Sequence, residues 1–265
     1  MIDALQPVPH IALAGGAFLA LLAGCATLQR SARLPAETAR KLFHAGVGLV
    51  ALALPLLFDG IGPVLMLCAG SCAVLALVRW QRAAHARFGG VLHAVERHSY
   101  GEFAFAAGVA LSFALVHERP LLYAVPLATL TFADAAAALV GSRFGRHRYR
   151  TADGYKSVEG SLAFFVVAFA CAYVPLVVTH ATSPLAAPLV ALLFAVVTTW
   201  VEAVCWCGFD NFGIPLVGAA ALSTLVSWSL EELATRSAVL LACAAGACFV
   251  VAARFTRTIL PIAPC

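Results

Sequence analysis

Charge is what this 265-residue sequence has least of: Asp, Glu, Lys and Arg together make up 11% of it. A water-soluble domain carries about a quarter, so the chain cannot cover a globule of its size with polar groups, and soluble enzymes, nucleic-acid binders and disordered scaffolds are excluded. A cysteine framework is missing too. The nine cysteines are an odd number without regular spacing, and most sit in apolar runs, where a thiol packs as a small hydrophobe. Cys205 and Cys207 stand near polar residues but lack the second pair or neighbouring His that a zinc site needs. There is no internal repeat, and no G-x-x-x-x-G-K-[ST] loop for nucleotide phosphates. The first apolar run shows no small-residue cleavage pattern leading into a soluble domain and reads as a retained helix.

What is present is hydrophobicity, with 62% apolar residues and a mean hydropathy of +0.93. Cutting wherever charge interrupts an apolar stretch of about 17–25 residues predicts an all-α, polytopic transmembrane bundle of about nine helices. The expected spans are 9–28, 42–58, 61–78, 101–117, 121–141, 158–180, 184–201, 212–229 and 238–254, forming one membrane domain over 1–265. Fifteen of the seventeen Lys and Arg fall on the odd-numbered connections or after the last span. The positive-inside rule makes those connections cytoplasmic, with the N-terminus outside and the C-terminus inside. Over 79–100, Trp80, Ala84, Phe88, Val91 and Val95 recur at helical spacing opposite Arg82, Arg87 and Arg97, which predicts an interfacial cytoplasmic helix weakened at Gly89-Gly90.

Ionisable residues in or beside membrane spans are costly and are functional candidates by default. Four groups stand out. Arg40-Lys41-Leu42-Phe43-His44 opens the second span, with Arg40 and His44 on one helical face; an orienting basic cluster accounts for Arg40 and Lys41 but not for His44. Asp134 lies seven residues before Gly141 among alanines, roughly 10 Å inside the helix end, where an ionised carboxylate costs about 3 kcal/mol. A structural hydrogen bond between helices and a cation or proton site are its alternatives. The third group runs from Gly141 and Gly145 to Lys156-Ser157-Val158-Glu159-Gly160, combining close backbone approach, positive charge and hydroxyls, which suits a polyphosphate; a lipid-headgroup patch is the competing reading. The fourth, Glu202 to Pro215 with Asp210 and Asn211, is an odd-numbered connection that carries two carboxylates and no Lys or Arg, which favours Mg²⁺ or a proton. Glu96 and Glu102 add acids at the same level.

All four groups, though far apart in sequence, fall on one side of the bilayer. Basic residues, glycine-lined backbone and carboxylates at one interface suit a metal–nucleotide site, in which Mg²⁺ bridges phosphate oxygens and keeps one or two protein carboxylates. A cation-coupled transporter using Asp134 and Glu202 as relay groups is the reading from another class, although transporters place polar residues near the midplane.

On Arg40-Lys41-x-x-His44, Gly101-Glu102, Asp134 with Gly141-x-x-x-Gly145, Lys156-Ser157-x-Glu159-Gly160, Glu202 and Gly208-x-Asp210-Asn211-x-x-x-Pro215, the chain resembles the polyprenol kinase family, which includes dolichol and phytol kinases. The resemblance covers about Arg40 to Pro215. It implies transfer of the γ-phosphoryl of CTP to a membrane lipid alcohol with a divalent metal. The middle segment is also similar to CTP-dependent phosphatidate cytidylyltransferases, but their Lys-Arg-rich, Gly-His-Gly-Gly segment is replaced here by Gly208-Phe209-Asp210-Asn211. On this reading Asp134 and Asp210 hold Mg²⁺, and Lys156, Arg40 and Lys41 bind phosphates. Ser157 and Asn211 donate hydrogen bonds, Gly141, Gly145 and Gly160 line the nucleotide, and Glu159 or Glu202 orients Lys156 or takes the alcohol proton, with His44 the competing base. The expected partners are the nucleotide, the lipid alcohol and the surrounding lipid, with no nucleic acid. Neither the lipid's identity nor the oligomeric state is legible.

Overall fold

The computed structural model describes residues 7–31, 35–81, 88, 100–151 and 154–239. The helices, numbered here in chain order, are α1 (Pro7–Ser31), α2 (Ala36–Leu57), α3 (Ile61–Trp80), α4 (Gly101–Val116), α5 (Pro120–Phe144), α6 (Val158–Val178), α7 (Ala187–Val204) and α8 (Asp210–Ser227), with α9 covering 230–239. Six of them, α1, α2, α3, α5, α6 and α7, are long and apolar enough to cross a membrane, while the apolar α4 has 16 residues. Large apolar side chains cover the outside, among them Leu56 at 86% and Val178 at 71% exposure. So much outward apolar surface belongs against lipid tails, and the protein is an integral membrane protein.

The first eight expected spans coincide with α1–α8 to within a few residues. The ninth, 238–254, falls almost entirely outside the described residues, as do Glu96, Arg82, Arg87, Arg97 and most of the expected interfacial helix; within that stretch α3 runs to Trp80 and Phe88 is helical. The all-α expectation holds for the bundle, and one short element beside it is not helical. Arg148–Thr151 and Gly154–Ser157 form a two-stranded antiparallel hairpin, β1 and β2, with Tyr149 paired to Lys156 and Arg150 to Tyr155. In β1 Tyr149 and Thr151 alternate with the exposed Arg148 and Arg150, and in β2 Lys156 shares the face of Tyr149 while Tyr155 is exposed, so one face turns toward the bundle and the other meets solvent.

Helix α5 is the centre of the bundle, packed against α2, α6 and α8. Its Tyr123, Leu127 and Leu130 join Phe113, Phe164 and Ile214 in the main core. A second core gathers Leu176, Val190, Phe194 and Leu222 between α6, α7 and α8, and a third joins Phe18, Phe43 and Leu75 of α1, α2 and α3. Small residues set the close crossings: a Cβ at Gly108 of α4 would lie 2.7 Å from the Asn211 carbonyl oxygen of α8, and one at Gly218 of α8 would lie 2.9 Å from Pro126 of α5. Several buried hydroxyls are satisfied locally or across helices. Thr129 and Thr131 donate to Val125 and Leu127 carbonyls, and Tyr123 donates to the Ala51 carbonyl at 2.8 Å.

Within α5, Thr129–Ala133 is a π-helical turn, three residues after Pro126 and directly before Asp134. Pro126 has no N–H for the α-helical ladder. A π turn adds one residue to the helix, and at 3.6 residues per turn this rotates everything beyond it by about 100°. That rotation sets the direction in which Asp134 points.

Candidate active site

The chain alternates direction through the bundle, so α2, α4, α6 and α8 begin, and α5 and α7 end, at one end of the molecule. Lys41 and His44 come from α2, Asp134 from α5, Lys156 from β2, Glu202 from the last turn of α7 and Asp210 from the first turn of α8. Lys41 Nζ donates to Asp134 Oδ2 at 2.6 Å, with the side chains 11% and 12% exposed, and His44 Nε2 stands 3.6 Å from the same oxygen. Lys156 Nζ donates to Glu202 Oε1 at 2.7 Å and also to the Glu202 backbone carbonyl. The charges of Asp134, Asp210 and Glu202 act on one another, and Lys156 also feels Asp210, so the two pairs belong to one electrostatic cluster. Burial pushes the Lys156 ammonium down, but Glu202 and Asp210 more than offset it and hold it above the ordinary lysine value of 10.5. Lys156 therefore stays a cation at every physiological pH.

Backbone geometry delivers the acids. Residues 205–209 leave the end of α7 with Cys207 and Gly208 both at positive φ, 53° and 82°. The Cys207 carbonyl accepts from Tyr100 N at 3.0 Å, which fastens this loop to the start of α4. Asn211 Nδ2 then donates to the Gly101 carbonyl at 2.9 Å, and Asp210 Oδ1 accepts the Asn211 N–H.

Gly141, Gly145 and Gly160 surround the buried Ser157. Ser157 caps α6 by accepting from Gly160 N at 3.1 Å, and a Cβ at Gly145 would meet both the Gly141 carbonyl and Ser157. These residues join the hairpin to α5 and α6. Glu159, expected near Lys156 or the alcohol, instead accepts from His147 N and lies 2.7 Å from His147 Nδ1 at the exposed base of the hairpin. Glu202 is the partner of Lys156. The reason is alternation: Lys156 faces inward with Tyr149, while Glu159, one turn into α6, is directed back along the chain to His147. His147, and Tyr149 with its hydroxyl 2.7 Å from Ser161 Oγ, were not singled out in the sequence; the alternation around Tyr149 is the signal that would have found them.

Five buried side-chain polar atoms lack a hydrogen-bond partner among the described residues, and three of them, His44 Nε2, Glu102 Oε2 and Glu202 Oε2, are at this end. Buried polar atoms are normally paired, so their concentration marks a place for polar ligand groups. A groove between α1, α2, α3 and α4 opens onto the same place; Arg40, His44, Glu102 and Asn211 line it together with apolar side chains. No group of three or more His, Cys, Asp or Glu able to hold a metal is present among the described residues. Two nearby carboxylates, Asp134 and Asp210, still fit Mg²⁺, which takes one or two carboxylates and completes its shell with phosphate oxygens and water.

The chain is 32% identical over 208 residues to a phytol kinase of Synechocystis sp., an alignment covering 76% of this chain and 83% of the relative. The chain belongs to the polyprenol kinase family, phytol kinase branch included. No family model matches the chain, and no solved structure does. As a member of the polyprenol kinase family the chain joins the residues of its resemblance in space: Lys41 and His44 meet Asp134, Lys156 meets Glu202, and Asn211 meets Gly101.

Proposed function

We propose that this protein is a lipid-alcohol kinase that transfers the γ-phosphoryl group of CTP to the hydroxyl of a membrane isoprenoid alcohol of the phytol, polyprenol or dolichol type. One observation carries the reading: His44 stands at once in the lining of an apolar groove and 3.6 Å from Asp134 in the charged cluster, so an apolar alcohol and a charged phosphate donor meet at one residue. The likeness to a phytol kinase supports the same class. The excess of Lys and Arg on the connections at this end supports a cytoplasmic site, where nucleotide is found.

Phosphoryl transfer asks chiefly for positioning and charge neutralisation. Lys156, held by Glu202, and Lys41 with Arg40 bind the phosphates from opposite sides of the cluster. Asp134 and Asp210 would hold Mg²⁺, which would supply positive charge to offset that of the phosphates. The alcohol oxygen attacks the γ-phosphorus, the bond to the β-bridging oxygen breaks, and CDP leaves. His44 Nε2 takes the alcohol proton. The apolar surroundings exclude water, which would otherwise compete as acceptor, and strengthen every charge interaction in the site.

The test uses full-length protein, Mg²⁺ and a mixture of prenols, diacylglycerol and phosphatidate, with CTP labelled at the γ-phosphate in one reaction and at the α-phosphate in another. Label reaching a lipid alcohol from the γ position alone is the expected result. Label from the α position would make the protein a cytidylyltransferase, and label from γ-labelled ATP but not from γ-labelled CTP would move the donor assignment.

A further inference from the structure

The groove has two unlike ends. Its lining on α2 begins with Arg40 and His44 and continues through Val47, Val50 and Ala51 to Leu54. On α4 it passes from Glu102 to Phe105 and Val109, and Asn211 closes the polar end from α8. Away from that end the lining is apolar except for Ser71 of α3. Glu102 Oε2 and His44 Nε2, both buried and both without a hydrogen-bond partner, belong to residues at the polar end, and the Phe105 ring stands edge-on to His44 at 5.1 Å.

Resting on the kinase reading above, we infer that this groove holds the isoprenoid chain of the alcohol, its hydroxyl received between His44 and Glu102 and its tail running along α2 to Leu54. The hydroxyl donates to His44 Nε2, which also stands 3.6 Å from Asp134, and Glu102 closes the polar end on the other side and restricts where the oxygen can sit. From His44 to Leu54 is ten helical residues, about 15 Å. With carbon–carbon bonds of about 1.5 Å, an extended chain of that reach holds roughly a dozen main-chain carbons, or three isoprene units. The groove therefore measures the first three units and leaves later ones to the lipid.

Chain length gives the first readout. KM for the alcohol falls on the order of 10²-fold or more between a one-unit and a three-unit prenol, because each buried methylene adds to binding, and levels off beyond three. A prenol carrying a diazirine at the far end of its third unit, photolysed with full-length protein in nanodiscs without nucleotide, labels Val50, Leu54 or Leu67, and unlabelled geranylgeraniol competes. Val109→Trp, which fills the groove, raises KM for the alcohol about tenfold or more with KM for nucleotide unchanged; Ser71→Phe does the same from the less buried α3 wall, should Val109→Trp fail to fold. Glu102→Gln raises KM for the alcohol and leaves that for nucleotide unchanged. Adducts confined to the outer faces of α6 and α7, with phosphorylation intact, would overturn the groove assignment and leave the kinase reading standing. Competed adducts in the groove, with no lipid alcohol phosphorylated, would support the groove and overturn the kinase reading.

Discussion

Lys41–Asp134 and Lys156–Glu202 are both short lysine–carboxylate contacts at one end of the bundle, 2.6 and 2.7 Å, yet they are built differently. Lys156 is fastened twice to one residue, through the Glu202 carboxylate and its backbone carbonyl, at the C-terminal end of α7, where the helix dipole also favours a cation. Among the described residues Lys41 donates to the Asp134 carboxylate alone, and that oxygen is shared with the approach of His44. The first arrangement is a clamp that fixes β2 on α7. The second can be exchanged: a metal or phosphate that takes Asp134 or Lys41 leaves the other to a new partner without moving a strand. Buried pairs contribute little net stability but are costly to break from one side, so the two should respond differently to the same kind of substitution.

The largest effect is expected at the exchangeable pair. Asp134→Asn keeps an acceptor for Lys41 but removes the negative charge, and turnover with γ-labelled CTP falls about 10³-fold or more while extractable, helical protein is recovered. Retained turnover would reduce both pairs to scaffolding. At the clamp, Lys156→Met leaves Glu202 buried without its cation, costs about 3 kcal/mol of stability and lowers kcat/KM about 10²-fold. Glu202→Gln, which leaves Lys156 its carbonyl anchor, lowers kcat/KM about tenfold. The stability gap between wild type and Lys156→Met has a defined pH dependence. Because the folded value of Lys156 lies above the ordinary 10.5, the contribution is complete below that pH and fades as pH rises through the folded value. Melting curves should therefore show a constant gap from pH 6 to 9 and a shrinking one only above 10.5.

Gly145→Ala tests the seat of the clamp. Its Cβ would run into the Gly141 carbonyl and Ser157, and a loss of about 1–3 kcal/mol, read as a lower melting temperature, should accompany a smaller loss of activity. The smallest effect belongs to Glu159→Gln. Its partner His147 is 80% exposed, and exposed pairs contribute little, so turnover should change by roughly twofold at most. A large loss there would return Glu159 to the reacting groups.

Much of the site's composition is legible in the sequence, because an acid inside an apolar run is costly wherever it sits. Asp134, His44 and Glu202 stand out on that ground alone, and span boundaries follow from the apolar length that crosses a bilayer. The hairpin was less legible. Its four-residue strands lie in a segment whose glycines and basic residues also read as a phosphate loop, and a local pattern that short does not choose between them. The π turn at Thr129–Ala133 leaves no period of its own in a run that is buried almost throughout. Ser157 and its three glycines drew attention for chemistry, yet they serve as a helix cap and a packing knot, which is seen only when α5, α6 and β2 are placed together.

By itself the sequence determined that this is a helical membrane protein with its four candidate groups gathered at one end, since run length, hydrophobicity and the alternation of chain direction are properties of local segments. The tertiary structure decided which groups face which: Glu202 rather than Glu159 on Lys156, His44 between Asp134 and the groove, Asn211 on the start of α4. Those pairings depend on rotations of whole helices, set by a one-residue π turn and by glycine contacts between elements far apart in sequence. A rotation of about 100° changes a side chain's neighbours while leaving the local pattern of its sequence untouched.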